Sequence, residues 1–210
     1  MPSTGRRRPG RPPAAKADET RKRILRAGRI VFSERGYDGA TFQAIAVRAD
    51  LTRPAINHYF PSKRMLYREV VDETNELVVA AGIERAGGET TLMGRLTAFI
   101  AAAMDANSEN PSASAFMVTN VLESHRHPEL NSGGNISVRT SRDFLTWAVN
   151  DAIERGEVVA DIDAEVLTET LIVVLCGVGF YAGYLRSREM SGLTDMLRQL
   201  LDGALFRPNG

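Results

Sequence analysis

Residues 41–63, TFQAIAVRADLTRPAINHYFPSK, constrain this chain more than any other stretch, because they read as two short helices set across a tight turn. Phe42, Ile45, Ala46 and Ala49 recur at i, i+3, i+4 and i+7, which puts them on one buried stripe of a first helix. Thr41 stands just ahead of that stripe, where an N-cap belongs. After Asp50 and Leu51, Thr52 is placed to cap a second helix with Arg53 and Pro54 in its first turn. Proline is tolerated there because first-turn amides have no intrahelical acceptor to lose. Ile56 and Phe60 supply the inward face, leaving Arg53, Asn57 and His58 outward, as donor-rich groups suited to base edges and phosphates.

The remaining segments also carry helical periodicity. Residues 1–17, MPSTGRRRPGRPPAAKA, are rich in Pro, Gly and Arg and lack a hydrophobic period, so they are expected to form a disordered basic arm. A first helix is expected from Asp18, with Ile24, Ala27, Gly28, Val31 and Phe32 inward and Gly36 as its stop. Ser62 caps a helix over 63–84 with Leu66, Val70, Leu77 and Ala81 inward, broken by Gly87-Gly88. Further helices are expected over 91–106, 111–124, 136–155, 163–186 and 191–206. The fold class is therefore all-α: a three-helix DNA-binding unit over 18–62, a connecting helix over 63–84 and a helical second domain over 85–206.

Charge separates the two parts. The formal net charge of the 210 residues is zero, yet residues 1–68 hold 16 Lys/Arg against 5 Asp/Glu, and 16 − 5 is +11. The remainder holds 10 against 21, or −11. A basic amino-terminal third attracts polyanions while the acidic remainder is repelled, which orients the molecule on DNA. With Cys176 as the one cysteine no intrachain disulfide can form, and a reducing cytoplasm is the natural setting. No apolar stretch of signal-peptide length follows the basic start. The longest apolar run, LIVVLCGVGFYAGYL over 171–185, is shorter than the roughly 18–20 residues a bilayer span requires and reads as a buried helix, with no membrane partner expected.

The run over 18–73 resembles the DNA-binding domain of the TetR family of bacterial transcriptional regulators. The shared pattern is a basic first helix ending in Phe32-Ser33-Glu34-Arg35-Gly36-Tyr37, then Thr41-Phe42-Gln43-Ala44-Ile45-Ala46, then His58-Tyr59-Phe60-Pro61-Ser62-Lys63. Asn57 departs from it, since many members carry tyrosine there. The resemblance implies that the helix over 53–59 enters the major groove. Arg53 would then meet a guanine O6/N7 pair, Asn57 an adenine and Pro54 a thymine methyl, with Gln43 also within reach of a base. Thr41, His58, Tyr59 and Lys63 would bind phosphates, Lys63 standing at a helix start that favours an anion. Gly10-Arg11-Pro12 is similar to an AT-hook core, with Arg11 suited to a narrow minor groove; a solvated tail adding only non-specific attraction is the alternative.

One such unit reads few base pairs, so a homodimer on a near-palindromic operator is expected. Val166, Leu167, Thr170, Leu171, Val174 and Val178 lie on related faces of the 163–186 helix, and Leu193, Met196, Leu197, Leu200 and Leu201 stripe the last. Gly179 and Gly183, one turn apart, would permit close helix approach. The resemblance places these two helices between subunits, the alternative being that both fill the monomer core. It also implies a pocket for a small, largely apolar effector, for which Phe99, Met104, Phe116, Met117, Phe144, Trp147 and Tyr181 are the candidate lining. Occupancy would shift the 63–84 helix and release the operator, making the protein a repressor.

Glu123, His125, His127 and Glu129 read as a solvated cluster rather than a metal site, and Cys176 as an inert protonated thiol. No G-x-S-x-G elbow, P-loop or H-E-x-x-H motif occurs, so neither catalysis nor a cofactor is expected. Two other readings stay open: a non-specific architectural nucleic-acid binder, and a helical-bundle enzyme with a basic docking tail.

Overall fold

The computed structural model describes residues 13–130, 135–159, 161–185, 192, 195, 196 and 199, and among these every regular element is helical. Residues 1–12 of the basic arm, with Arg11, and the interface candidates Leu193, Leu197 and Leu200 lie outside the described residues. Helix α1 (Pro13–Gly39) opens at Pro13 rather than at Asp18. Proline is pre-set for a first helical position, and the Ala-Ala-Lys-Ala that follows is strongly helix-forming, which outweighs the compositional resemblance of 13–17 to the arm. The helix kinks at Gly36, whose φ of 67° and ψ of −178° are non-helical.

Helices α2 (Phe42–Arg48) and α3 (Arg53–Tyr59) follow with the expected caps. Thr41 Oγ1 accepts from the Ala44 amide at 3.1 Å and Thr52 Oγ1 from the Ala55 amide at 3.4 Å. Between them the chain turns on Asp50, the one described non-glycine residue with positive φ, at 50°. The Leu51 amide donates to the Ala46 carbonyl at 2.9 Å and the Asp50 amide to the Val47 carbonyl at 3.2 Å. These two bonds are the paired closure of a Schellman motif, with Asp50 in the left-handed position that glycine usually fills.

Ser62 caps α4 (Lys63–Asn75), which continues through a π-helical turn (Glu76–Ala80) into α5 (Ala81–Ala86). Leu66, Val70, Thr74, Val78, Gly82 and Ala86 are buried at every fourth residue. Four residues of α-helix turn through about 400°, so such a stripe drifts about 40° per step around the rod. The first half of the rod thereby faces one core and the second half another. Expected inward residues Leu77 and Ala81 are only half-buried, while Val78 and Gly82 take their place. The π turn inserts about one residue relative to an α-helical count, and that moves the register.

The first core joins α1–α4 through Ile24, Phe32, Ile45, Ile56, Phe60 and Leu66, and it also takes in Phe116 and Leu130 from beyond the connecting helix. The second lies among α6 (Leu92–Glu109), α8 (Ile136–Glu154) and α9 (Ala164–Phe180), with Phe99 stacked on Phe144 at 5.8 Å. Helix α7 (Ala113–Arg126) stands between the two. Where the π turn that continues α9 (Tyr181–Leu185) passes α7, Gly183 is required for clearance, because a Cβ there would sit 2.6 Å from the Ala115 backbone nitrogen.

The turn at Asp50 makes a direct prediction. Asp50→Gly should leave thermal stability unchanged or raise it, whereas Asp50→Val should cost about 1–2 kcal/mol. Thermal unfolding by circular dichroism measures both, and equal melting temperatures for the two variants would contradict the left-handed assignment.

Candidate nucleic-acid interface

Arg53, Pro54, Asn57 and His58 are all exposed on α3, because Ile56, fully buried, pins the opposite side of the helix. Arg53 has no ion-pair partner among the described residues. Thr41 and Gln43 are exposed at the start of α2. Tyr59 is half-buried, with its ring against the first core and edge-on to His58 at 5.4 Å. The structure thus brings eight of the nine candidate DNA contacts into the described residues, and seven of those are available along one helix-turn-helix.

Lys63 is the exception. Its ammonium donates to the carbonyls of Tyr37 at 2.8 Å, Ala40 at 3.2 Å and Asp38 at 3.4 Å, and lies 4.4 Å from the Tyr37 ring centroid. Tyr37 and Asp38 lie in the last turn of α1 and Ala40 just beyond it, where carbonyls run out of intrahelical donors, and the lysine supplies them. The expected phosphate contact by Lys63 is therefore replaced by a structural one. Other cations nearby are also engaged: Arg48 with both oxygens of Glu34, at 2.7 and 2.9 Å, and Arg21 with Glu69.

Helix α7 ties this unit to the rest of the chain. Its residues Phe116, Asn120 and Glu123, followed by His127, fall at i, i+4, i+7 and i+11 and face the DNA-binding unit. Phe116 packs on Phe32 and Tyr67, and the Tyr67 hydroxyl donates to Asn120 Oδ1 at 2.8 Å. Burial pushes the Tyr67 phenol well above its ordinary range, with the Glu123 carboxylate adding to the effect, so it remains a neutral donor. Glu123 is buried against Gly36, where a Cβ would lie 2.7 Å from Oε1. His127 Nε2 stands 3.2 Å from Asp38 Oδ2 and 3.5 Å from Glu123 Oε2, and Nδ1 3.2 Å from Glu129 Oε1, while the ring packs on Tyr37 at 5.2 Å. Of the cluster expected to be solvated, His125 and Glu129 are exposed, while Glu123 and His127 form an inter-domain joint built on a buried carboxylate; no group of described residues forms a metal site.

The opposite face of α7, Ser114, Met117, Val118, Val121 and Leu122, repeats at i, i+3, i+4, i+7 and i+8 and lines a cavity of about 320 Å³. Phe99 and Met104 of α6 and Val78 and Val79 of the π turn also line it, so Phe99, Met104 and Met117 fall where a pocket was expected. The other four candidates do not. Phe116 fills the first core, Phe144 lies behind Phe99 in the second, Tyr181 is half-buried away from the lining, and Trp147 is half-exposed beneath the Arg95 guanidinium at 4.2 Å. Ser137, Ser141 and Cys176 line the cavity without having been singled out for it. Cys176 is exposed rather than enclosed, and burial by its apolar surroundings still raises its thiol above the ordinary value.

On α9 the expected interface residues face inward. Leu171 is buried, Leu167 packs on the second core, Val174 is half-buried and Val178 lines the cavity. The free face carries Val166, Thr170, Val173, Gly177 and Phe180, spaced 4, 3, 4 and 3 residues apart, with Phe180 at its end also lining the cavity. Val166, Val173 and Phe180 are 60%, 70% and 50% exposed. A helix nearly uniform in apolar residues gives no period from which its buried side can be chosen in the sequence.

Two capped helices in a Schellman-linked pair, with a free arginine and asparagine on the second, define a helix-turn-helix DNA-binding protein. Residues 24–70 match the bacterial regulatory proteins of the tetR family. The chain is 25% identical over 162 residues to the HTH-type transcriptional regulator UidR of Escherichia coli K12, covering 77% of this chain and 81% of that one. Its fold superposes on the TetR-family regulator PfmR of Thermus thermophilus with a TM-score of 0.70 at 23% identity, over 88% of this chain and 100% of that one. FadR of Bacillus subtilis, solved in complex with stearoyl-CoA, gives 0.70 at 18% identity, over 86% and 96% of the two chains. Residues 24–70 are thus a TetR-family DNA-binding domain, and the chain is a DNA-binding transcriptional regulator.

Two substitutions separate base reading from scaffolding. Arg53→Ala should weaken operator binding by about 1–3 kcal/mol and relax selectivity at one base pair. Lys63→Met should lower thermal stability yet leave the salt dependence of DNA binding unchanged, because no phosphate contact is lost. Affinities across a salt series, on operator and mutated operator DNA, measure both.

Proposed function

We propose that the protein is a homodimeric repressor that holds a near-palindromic operator and leaves it when a small apolar molecule enters the cavity. The observation that carries this reading is the placement of α7, with the cavity on one face and the DNA-binding unit on the other. Arg53, Asn57, Pro54 and Gln43 are the proposed base contacts, and Thr41, His58 and Tyr59 the proposed phosphate contacts. Lys63 is withdrawn from that set. An occupant that pressed on Met117 or Val121 would act on α7 and hence on Asn120 and Glu123, while Val78 and Val79 would carry the same pressure to the connecting rod. A ligand shifts such an equilibrium only by its differential affinity for the bound and released arrangements.

Dimerisation is proposed through the free face of α9. Alternating three- and four-residue spacing is the seam of a helix pair, and Gly177 in its middle has open space around it. A two-fold pairing would present two α3 helices to successive major grooves, about 34–36 Å apart. The FadR complex concerns that protein, and its likeness to this chain supports the fold and the existence of an effector site, not its ligand.

Selection of bound fragments from a random DNA pool, with and without candidate effectors, tests the reading. It should yield an inverted repeat with half-site centres about 10 bp apart or a multiple of that. Recovery of fragments without a shared sequence would instead favour an architectural binder. Val173→Glu, which puts a charge in the proposed seam, should give a folded monomer by sedimentation and at least a tenfold loss of operator affinity. A variant that stays dimeric would place the interface elsewhere.

A further inference from the structure

We infer that the cavity selects an uncharged, compact lipophile bearing one or two hydrogen-bonding groups, and that it rejects carboxylates and acyl-CoA-like anions. This rests on the effector reading above and adds the chemical class. Among the described residues lining the cavity none is Asp, Glu, Lys, Arg or His, and none is Asn or Gln. The walls are Val, Ile, Leu, Phe, Met, Ala and Gly, interrupted by Ser114, Ser137, Ser141 and the thiol of Cys176. Burial raises that thiol, so it is neutral at pH 7 and supplies no charge of either sign.

A charge carried into such a site would lose its hydration with no counter-charge among the described lining residues to replace it, and that cost selects against ligands whose charge must enter the cavity. The serines supply the polar complement. Ser114 and Ser137 are 5% and 6% exposed and line the cavity. The hydroxyls of Thr119, Thr168 and Thr170 turn back to the carbonyl four residues earlier, at 2.8–2.9 Å. Those of Ser114 and Ser137 make no hydrogen bond to another described residue. A hydroxyl both donates and accepts, so an alcohol, ketone or ester on the occupant would satisfy a group otherwise left unpaired. At about 320 Å³ the space is at the small end of the 300–1,000 Å³ common among ligand pockets, which favours a compact molecule over a long chain.

Fluorescence titration of the full-length protein with two probes tests this. N-phenyl-1-naphthylamine is neutral, and 8-anilino-1-naphthalenesulfonate adds a sulfonate to the same scaffold. The neutral probe should bind at least tenfold more tightly. Val121→Trp and, on another wall, Ser141→Phe should each weaken it tenfold or more, with circular dichroism confirming that at least one variant is folded. Equal or tighter binding of the sulfonate, lost in the same variants, would overturn the charge selection. Neutral binding unaffected in a folded cavity-filling variant would put the probe elsewhere, for example on the α9 seam, and would also overturn the inference. Operator affinity measured on the same samples without probe keeps the two readings apart. Retained DNA binding with no probe bound refutes this inference alone, whereas loss of sequence preference refutes the regulator reading.

Discussion

The junction of Phe116, Asn120 and Glu123 with the amino-terminal unit is the constraint from which the arrangement of the molecule follows. Phe116 is buried in a cluster that includes Phe32 and Tyr67, the latter two meeting edge-to-face at 4.9 Å, so the DNA-binding unit does not own its core outright. An aromatic cluster of this kind is close-packed and resists continuous deformation, so a shift of α7 moves the unit instead of being absorbed within it. The polar contacts add direction. Tyr67 to Asn120 is a single buried bond, and Glu123 sits against a glycine that leaves it almost no clearance. The domain boundaries drawn from the sequence at residues 62 and 84 divide the chain along its backbone, while the packing divides it through α7.

The connecting rod meets the same requirement by other means. Its buried residues drift around the helix, facing the first core at Leu66 and Val70 and the second at Val79 and Ala86. The π turn lies where the two meet. Arg29, buried in α1, pairs with Glu73 on the rod at 2.6 Å, a contact in which removal of the carboxylate would leave a charge uncompensated in the interior. Two helices, α4 and α7, therefore run from the first core to the cavity wall, one through the backbone and one through space.

Local chemistry was well recorded in the sequence. Thr41, Thr52, Ser62, Thr91 and Asp163 each cap the helix they precede, because capping depends on a side chain and an amide two or three residues on. The exposed face of α3 was legible for the same reason, since Ile56 and Phe60 settle which side is inward. What the sequence could not express was which distant groups compete for a side chain. Lys63 has the position of a phosphate ligand, yet its ammonium is held by the carbonyls at the end of α1. Phe116 and Phe144 have the look of pocket aromatics, yet the rings that line the cavity are Phe99 and Phe180, and which phenylalanines do so depends on how α6, α7, α8 and α9 cross. Glu123 followed the rule that carboxylates are solvated, and the fold breaks that rule at the joint.

Helix α9 shows how far composition can mislead and geometry correct. Ala164–Tyr184 spans 21 residues at a mean hydropathy of 1.8, long and apolar enough to cross a bilayer. Its sides are not equivalent, however. Thr168, Leu171 and Ile172 are buried against the chain's own core, and Glu169 holds the Arg142 guanidinium at 2.7 Å on α8. That bond keeps the Glu169 carboxyl below its ordinary range, so it is ionised at neutral pH, a poor group to surround with lipid. To enter a membrane the helix would have to abandon those contacts, whereas a second helix along Val166, Val173 and Phe180 would leave them intact. The same helix also lines the cavity through Val178 and Phe180. In the proposed reading, an occupant that swelled the cavity would press on the element that carries the proposed seam, and would reach the spacing of two reading helices through α9 as well as through α7.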